Sequence, residues 1–537
     1  MKYRLLIAVF WLATTAWLVR FEAFPERFSA TSTGYTGLLS RDVLVLDSWM
    51  RVLFKDKPIG YSHTRVDVNE SSPREHYLVE NKVHLRLQLM GQAQEVYVET
   101  DVYLDTAQRL QRFAFLLSSR GYNVEVKGTR RSIDTYDIAI KTAGTRSRTT
   151  LRIPDDVVIY SPMTEMAMRN LKPGEHMVMR VLDPASLSTA NITIRADRKE
   201  TVSYRGQPRE TTVLTMDYLG MNMQSWVDGQ GNVIRETTPF GWNMEQCTPD
   251  EAFAAIREAG ATPDLLAGMS VPCRGAIPDS WNCRVLRLRL SGVPFADSDL
   301  RTERQTPILV ATNEVDLTVN AAEFREEAGS LTPDDAQKNL RPTPWVQSDN
   351  PELVKQAAAI VGARTQALQK ATAICDWVYK NVAKEMTVSL PSAIDVLHTM
   401  AGDCNEHTYL FVGLARAAGI PARIHVGLAY HERAFYYHAW PAVYVGHWME
   451  MDPTWGQHAV DATHIALVEG ELANQIQIAR VVGQLAIEVV SRDYGAARGS
   501  AVPAAGTPAS GAPRGEDRND VNKGTQGETH QQTAGRT

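Results

Sequence analysis

Gly402–Trp455 reads GDCNEHTYLFVGLARAAGIPARIHVGLAYHERAFYYHAWPAVYVGHWMEMDPTW, and the other segments take their meaning from it. Asp403 is a favourable N-cap, and Glu406 three residues on completes a capping-box pattern ahead of an apolar run. Leu410, Phe411, Leu414 and Ala418 recur at helical spacing, and Gly419 with Pro421 stops the run. The pattern predicts a helix of about four turns with Cys404 in its first turn. There the positive end of the helix dipole lowers a thiol's pKa, and unpaired backbone N–H groups can hold an oxyanion. FYYHAWPAVYV and HWMEMD read as two strands flanking a turn near Gly446. A hairpin centred at 445, midway between His438 and Asp452, sets these two nearly opposite, with Cβ atoms roughly 4.5–5.5 Å apart. Asp452 then fixes the tautomer of His438, His438 takes the thiol proton, and Cys404 attacks an acyl carbon. A zinc site built from Cys404, His407, His438 and Asp452 competes for the same residues. No CxxC or HExxH spacing accompanies it, and no metal is expected.

The strings GDCNEHTYLF…ARAAGIPAR, then HAW, then W-x-x-x-DPTWG resemble the transglutaminase-like superfamily, whose core has a papain-like fold. The resemblance runs over residues from about 350 to 470. It implies Cys404 as nucleophile, His438 as base and Asp452 as the residue that orients the base. Trp440 and Trp448 fall where the family often carries aromatics, and are candidate substrate-binding residues. One departure stands upstream of Cys404: where many members have an aromatic residue, this chain reads Lys384-Glu385-Met386, which names no side-chain oxyanion donor.

A chain of 537 residues exceeds one ordinary core, so two or three folded units are expected. Its 44% hydrophobic and 22% charged content describes a soluble globular protein. Fifty-six basic residues are scattered among 62 acidic ones, for a net charge of −6 with no basic stripe, so nucleic acid is not an expected partner. Five cysteines are too few for a disulfide scaffold. Cys273 and Cys283, flanking RGAIPDSWN, are the plausible local pair in an oxidising compartment. Cys375 sits at helical spacing with Leu368, Ala371 and Val378 and reads as a buried core thiol.

Lys2 and Arg4 precede an uncharged, mostly apolar run from Leu5 to Val19, closed by Arg20. Residues 1–27 are accordingly read as a signal anchor or signal peptide, with the basic N-terminus inside and the rest of the chain outside. From Asp47 the pattern turns to period two: Val83, Leu85, Leu87 and Leu89 alternate with His84, Arg86 and Gln88. Residues 46–247 are read as an antiparallel β domain, 248–345 as a bridging mixed segment, and 350–495 as the catalytic domain. Residues 496–537, almost without large apolar side chains, cannot bury enough surface to offset ordering entropy and are expected to be disordered. The fold class is therefore multidomain: an N-terminal all-β antiparallel domain followed by an α+β papain-like transglutaminase core.

These readings converge on an extracytoplasmic cysteine-nucleophile enzyme, periplasmic in a Gram-negative cell and held by its N-terminal segment at a membrane. It would act on peptide or amide bonds of a protein or peptide substrate through a thioester, with protease or amidase chemistry favoured over cross-linking. The alternative is a binding or assembly factor that keeps the transglutaminase-like core as a scaffold. No phosphate loop, nucleotide fingerprint or acidic calcium loop is present in the sequence, so no cofactor is expected.

Overall fold

The computed structural model describes residues 30–495, apart from 32–33, 39–45, 90, 143–144, 161–170, 172, 239–240, 259–263, 266–269, 296–299, 326–328, 476, 479–480 and 482. The membrane-anchor reading of residues 1–27 and the disorder reading of 496–537 lie outside the described residues. Among the described residues no helix is long and apolar enough to cross a membrane.

Period-two alternation builds a sheet of 16 strands. In Tyr77–Leu89, the residues Val79, Leu85, Leu87 and Leu89 turn inward while Lys82 and Arg86 face water, the signature of a sheet covered on one face. Strands Leu46–Phe54 to Arg146–Arg152 form one antiparallel meander, and His176–Asp183 to Trp242–Gln246 form a second. Pairing of Trp242–Gln246 with Leu46–Phe54 joins the two, with Asn243 opposite Leu53. In this sheet, among the described residues, only Ala30–Thr31 and Val157–Ile159 run parallel to a neighbour, His176–Asp183.

A second sheet of nine strands carries the C-terminal half. Its members are β1 (Val271–Arg274), β2 (Val285–Ser291), β3 (Gln305–Ala311), β4 (Glu314–Asn320), β5 (Ala422–His431), β6 (Ala434–Tyr444), β7 (Trp448–Glu450), β8 (Ile465–Glu469) and β9 (Ala486–Asp493). The order is β3-β4-β2-β9-β1-β6-β5-β8, with β7 on β6. The four strands described in segment 248–345 share a sheet with the hairpin of β6 and β7, so the segment is not a module apart from it. The arginine-bearing strand β2 needs partners on both edges and finds β9, which returns from the end of the described chain.

Three helices, α1 (Pro351–Val361), α2 (Ala367–Asn381) and α3 (Ala393–Thr399), pack around a fourth, α4 (Cys404–Ala417), which lies on this sheet. Asn350 caps α1 by accepting the Glu352 N–H at 2.9 Å, with Pro351 in the first helical position. Helix α4 is buried on every side from Glu406 to Arg416, as its near-continuous apolar run requires, and sits among α1, α2, α3 and β6. One continuous apolar core runs from the large sheet (Phe113, Val124, Ile138) into these helices (Ile374, Val378, Leu410, Phe411).

Candidate active site

Cys404 is the first residue of α4, and the predicted capping box forms. The Asp403 carboxylate accepts the Asn405 N–H at 2.9 Å, and Glu406 Oε2 accepts the Asp403 N–H at 2.9 Å. The other oxygen of Glu406 takes the hydroxyl of Ser389. The large sheet holds the loop around Ser389 from behind: Gln94 Nε2 donates to Met386 O at 3.3 Å, Ser119 Oγ to Val388 O at 2.5 Å, and the Tyr122 hydroxyl to Leu390 O. Thr142 Oγ1 adds a bond to Asp395 of α3 at 2.6 Å. The β domain therefore fixes the loop that fixes the cap that fixes the cysteine. Tyr122→Phe removes only the hydroxyl on a buried carbonyl, so it is expected to cost about 1–3 kcal/mol, read as a lower urea midpoint at unchanged slope.

Helix and hairpin meet at Ala439. Its backbone N–H acts to lower the Cys404 thiol's pKa, and its carbonyl accepts Thr408 Oγ1 at 3.0 Å. That staple sets the half-buried cysteine beside the strand position next to His438. His438 Nε2 lies 2.8 Å from Asp452 Oδ2. The hairpin register differs from the expected one by a residue: Tyr444 faces Trp448 and Ala442 faces Glu450, which centres the turn on Gly446. Strand β7 ends at Glu450, and the chain then folds back through reciprocal Asp452–Gln457 backbone bonds of 2.7 and 2.9 Å. This fold-back, not a cross-strand position, delivers the carboxylate to His438.

Asp452 is fully buried and fully used. Oδ1 accepts the N–H groups of Thr454 and Trp455 at 2.7 and 3.1 Å, and Oδ2 also faces Nε2 of His464 at 3.3 Å. Burial alone would raise its pKa, but His438 and His464 hold it well below the carboxylate range. His464 is the residue that sequence reasoning missed. It is buried between Asp452 and Asp461, whose Oδ1 lies 3.5 Å from its Nδ1. Burial opposes its charge, yet these two carboxylates push it up to about 9, so it is a cation at neutral pH.

The thiol departs from expectation in the opposite direction. Burial, then the Asp403 carboxylate, with Glu406 and Asp452 behind them, pushes Cys404 well above the ordinary thiol range, while only the Ala439 N–H pulls it down. Burial is the largest of these effects, and the acidic caps at the helix start add to it. Cys404 is therefore a protonated thiol at rest.

The tryptophans also sort differently from expectation. Trp440 is fully buried, donates Nε1–H to Glu450 Oε2 at 2.8 Å and packs edge-on against His464 at 5.2 Å, so it offers no face to a substrate. Arg304 meets the same Glu450 oxygen at 2.5 Å and also reaches the His464 carbonyl at 3.2 Å. Trp448 stands opposite Tyr444, six residues along β6 from His438 and so about 20 Å away, under the Arg423 guanidinium at 4.0 Å. The ring that does cover the histidine is Trp455, stacked on His438 at 4.6 Å and 19°. Its signal was in the sequence, three residues beyond Asp452.

Lys384, in the stretch Lys384-Glu385-Met386, pairs in parallel with Gly402 and holds its Nζ 4.3 Å over the Tyr379 ring. A Cβ on Gly456 would meet that ring at 3.1 Å, and its φ of +74° already favours glycine. Tyr379 thus packs against the turn after Trp455 from helix α2. All five cysteines are free, and the 273–283 bridge is not formed. Cys273 sits opposite Ile487 at one end of β9, whereas Arg284, beside Cys283, bonds Asp493 at the other. Six residues of strand is about 20 Å, well beyond disulfide reach.

His438, Asp452 and His464 offer three ligand atoms within 4.8 Å, as do Glu80, Glu99 and Asp101 on the large sheet. In the first group a protonated His464 is a donor rather than a ligand. In the second, Glu80 and Glu99 already flank Lys82 at 3.4 and 3.0 Å.

Residues 354–453 match the model of the Transglutaminase-like superfamily. The chain is 37% identical over 95 residues to an uncharacterized protein of Haemophilus influenzae, a match spanning 17% of this chain and 25% of that one. Among solved structures, it is similar to a candidate cysteine protease from Cytophaga hutchinsonii (21% identity, 38% of this chain and 86% of that one, TM-score 0.28). It is also similar to the periplasmic domain of TgpA from Pseudomonas aeruginosa (16% identity, 35% and 84%, TM-score 0.27). A third likeness is to a β-barrel-like protein of unknown function from Brucella abortus (13% identity, 38% and 95%, TM-score 0.27).

Proposed function

We propose, with residues 354–453 a transglutaminase-like domain, that the protein is a cysteine-nucleophile enzyme that cleaves peptide or amide bonds through a thioester. The observation that carries this reading is the buried Asp452, whose oxygens are committed to His438, His464 and two backbone N–H groups. An ionised Asp452 keeps the proton of His438 on Nε2, which leaves the Nδ1 lone pair as the base.

The raised thiol makes proton transfer part of the attack rather than a prior event. His438 Nδ1 takes the Cys404 proton as the sulfur bonds the acyl carbon. Of the first-turn N–H groups, that of Asn405 is taken by Asp403, so the Cys404 N–H is the oxyanion donor in this scheme. Collapse of the tetrahedral adduct breaks the C–N bond, and the amine leaves with the proton from Nδ1. Water, deprotonated by the same nitrogen, then attacks the thioester, and acid and thiol are regenerated. Hydrolysis is favoured over transfer to a second amine. The apolar run Leu5–Val19 behind Lys2 and Arg4 supports action outside the cytoplasm from a membrane anchor.

The test is to acid-quench the protein with an amide or peptide ester and weigh it intact. An acyl adduct is expected in the wild type, absent in Cys404→Ala, with acid rather than a transfer product released when a primary amine is added. Iodoacetamide should label Cys404 slowly near pH 7 and faster only towards alkaline pH. No adduct with any acyl donor, together with labelling indifferent to His438→Ala, would leave the scaffold reading in its place.

A further inference from the structure

We infer that Trp281 is a specificity-determining residue that holds an aromatic or large aliphatic side chain of an extended peptide substrate. The inference rests on the peptide-cleaving reading above. Trp281 comes from the segment between β1 and β2, far in sequence from the hairpin, yet its indole stacks on Trp455 at 6.4 Å and 21°. Trp455 in turn stacks on His438 at 4.6 Å and 19°. Three near-parallel rings therefore lead from the base to the surface.

The last of these rings is half open: Trp281 is 50% exposed. The indole offers apolar surface to water beside the candidate nucleophile's partner, at the open end of a stack that begins on His438. Its loop is tied down on several sides, so the exposure is held in place. Asn282 Nδ2 bonds both oxygens of Asp279 at 2.9 Å, and Arg492 Nη1 reaches Ala276 O at 2.7 Å. The Tyr494 hydroxyl reaches Pro278 O, and the Ala462 N–H bonds Cys283 O at 3.0 Å, two residues before His464. A rigid aromatic platform recognises a side chain at little ordering cost.

Distance assigns the subsite. From the His438 ring the two steps span at most about 11 Å, roughly three residues of extended chain. The side chain on Trp281 therefore belongs to the third residue from the cleaved bond rather than to the residue that becomes the thioester.

A peptide library randomised over three positions on each side of the cleaved bond tests this. In the wild type, Phe, Trp or Leu at one third position should raise kcat/KM about 5- to 20-fold over Gly or Asp, through KM. Trp281→Ala should erase that preference through a rise in KM on the Phe, Trp and Leu peptides, and Trp281→Phe should keep most of it. An equal loss on all peptides, or an unchanged preference in Trp281→Ala, overturns the assignment. If the wild type cleaves nothing, the cysteine-enzyme reading has failed separately. Binding of the same Phe and Gly peptides to Cys404→Ala, with and without Trp281→Ala, then decides: selective binding lost with Trp281 upholds the subsite, and equal binding refutes it.

Discussion

Asp452→Asn should lower kcat/KM by roughly 10³- to 10⁴-fold on any substrate the protein cleaves, with most of the loss in kcat. The substitution keeps size and shape but changes what Oδ2 can accept. In the wild type one oxygen faces Nε2 of His438 at 2.8 Å and Nε2 of His464 at 3.3 Å. An amide there can turn its NH₂ towards His438, which moves the imidazole proton to Nδ1 and removes the lone pair that the thiol needs. Because Cys404 rests as a protonated thiol, no standing thiolate can bypass the lost base. The same change leaves the His464 cation with Asp461 as its remaining counter-charge, so a stability loss on the order of 3 kcal/mol is expected beside the kinetic one. Steady-state kinetics and urea unfolding on one preparation separate the two. A rate loss below tenfold in folded protein would mean that Asp452 does not orient His438.

Parts of this site were written locally, and those parts were readable. Asp403 and Glu406 lie three residues apart ahead of an apolar run, and both capping bonds form. Their second effect was equally local but went unread: carboxylates that cap a helix start also oppose the ionisation of a thiol in its first turn. The pairing of His438 with Asp452 was expected from hairpin spacing, but the turn centres on Gly446 and the contact is made by the fold-back after Glu450, which that spacing does not encode. Period-two parity places His438 and Trp440 on one face of β6 but does not say that this face is sealed by Glu450, Arg304 and His464. Those partners come from residues 304 and 464, and the platform from residue 281. Nothing in a strand's own alternation encodes which distant segment lies across it. The long alternating strands of residues 46–247 likewise declared a sheet, while its use as a clamp on the loop at 386–390 emerged only from the fold.

Wild-type stability should fall as pH rises from 6.5 towards 9, by up to roughly 3 kcal/mol in all, and His464→Gln should remove that slope. The sign follows from the direction of the shift. In the folded protein His464 is pushed up to about 9, above the ordinary 6.5, by Asp461 and Asp452 and in spite of its burial. The folded state therefore holds a proton that the unfolded state releases. The stabilisation is complete below 6.5 and is lost as pH climbs through 9. Asp452 and Asp461, both depressed in the fold, act only on the acid side, below the ordinary carboxylate range, and so leave this window alone. Other groups touch its edges. Buried His407 and His425, both held below 6.5 by burial, add stability as pH rises to about 6.5 and just above it. Buried Glu236, raised to about 7, gives up its contribution between 4.5 and 7, and the raised thiols add their cost towards pH 9 and above. Subtracting the His464→Gln curve from the wild type between pH 6.5 and 8.5 cancels all of these, because Gln keeps an N–H for Asp452 but does not titrate. Parallel curves, or a flat wild type, would mean that His464 carries no charge in the folded protein. Asp452 would then be anchored by its two backbone N–H groups and His438 alone, and the kinetic loss predicted for Asp452→Asn would come without its destabilisation.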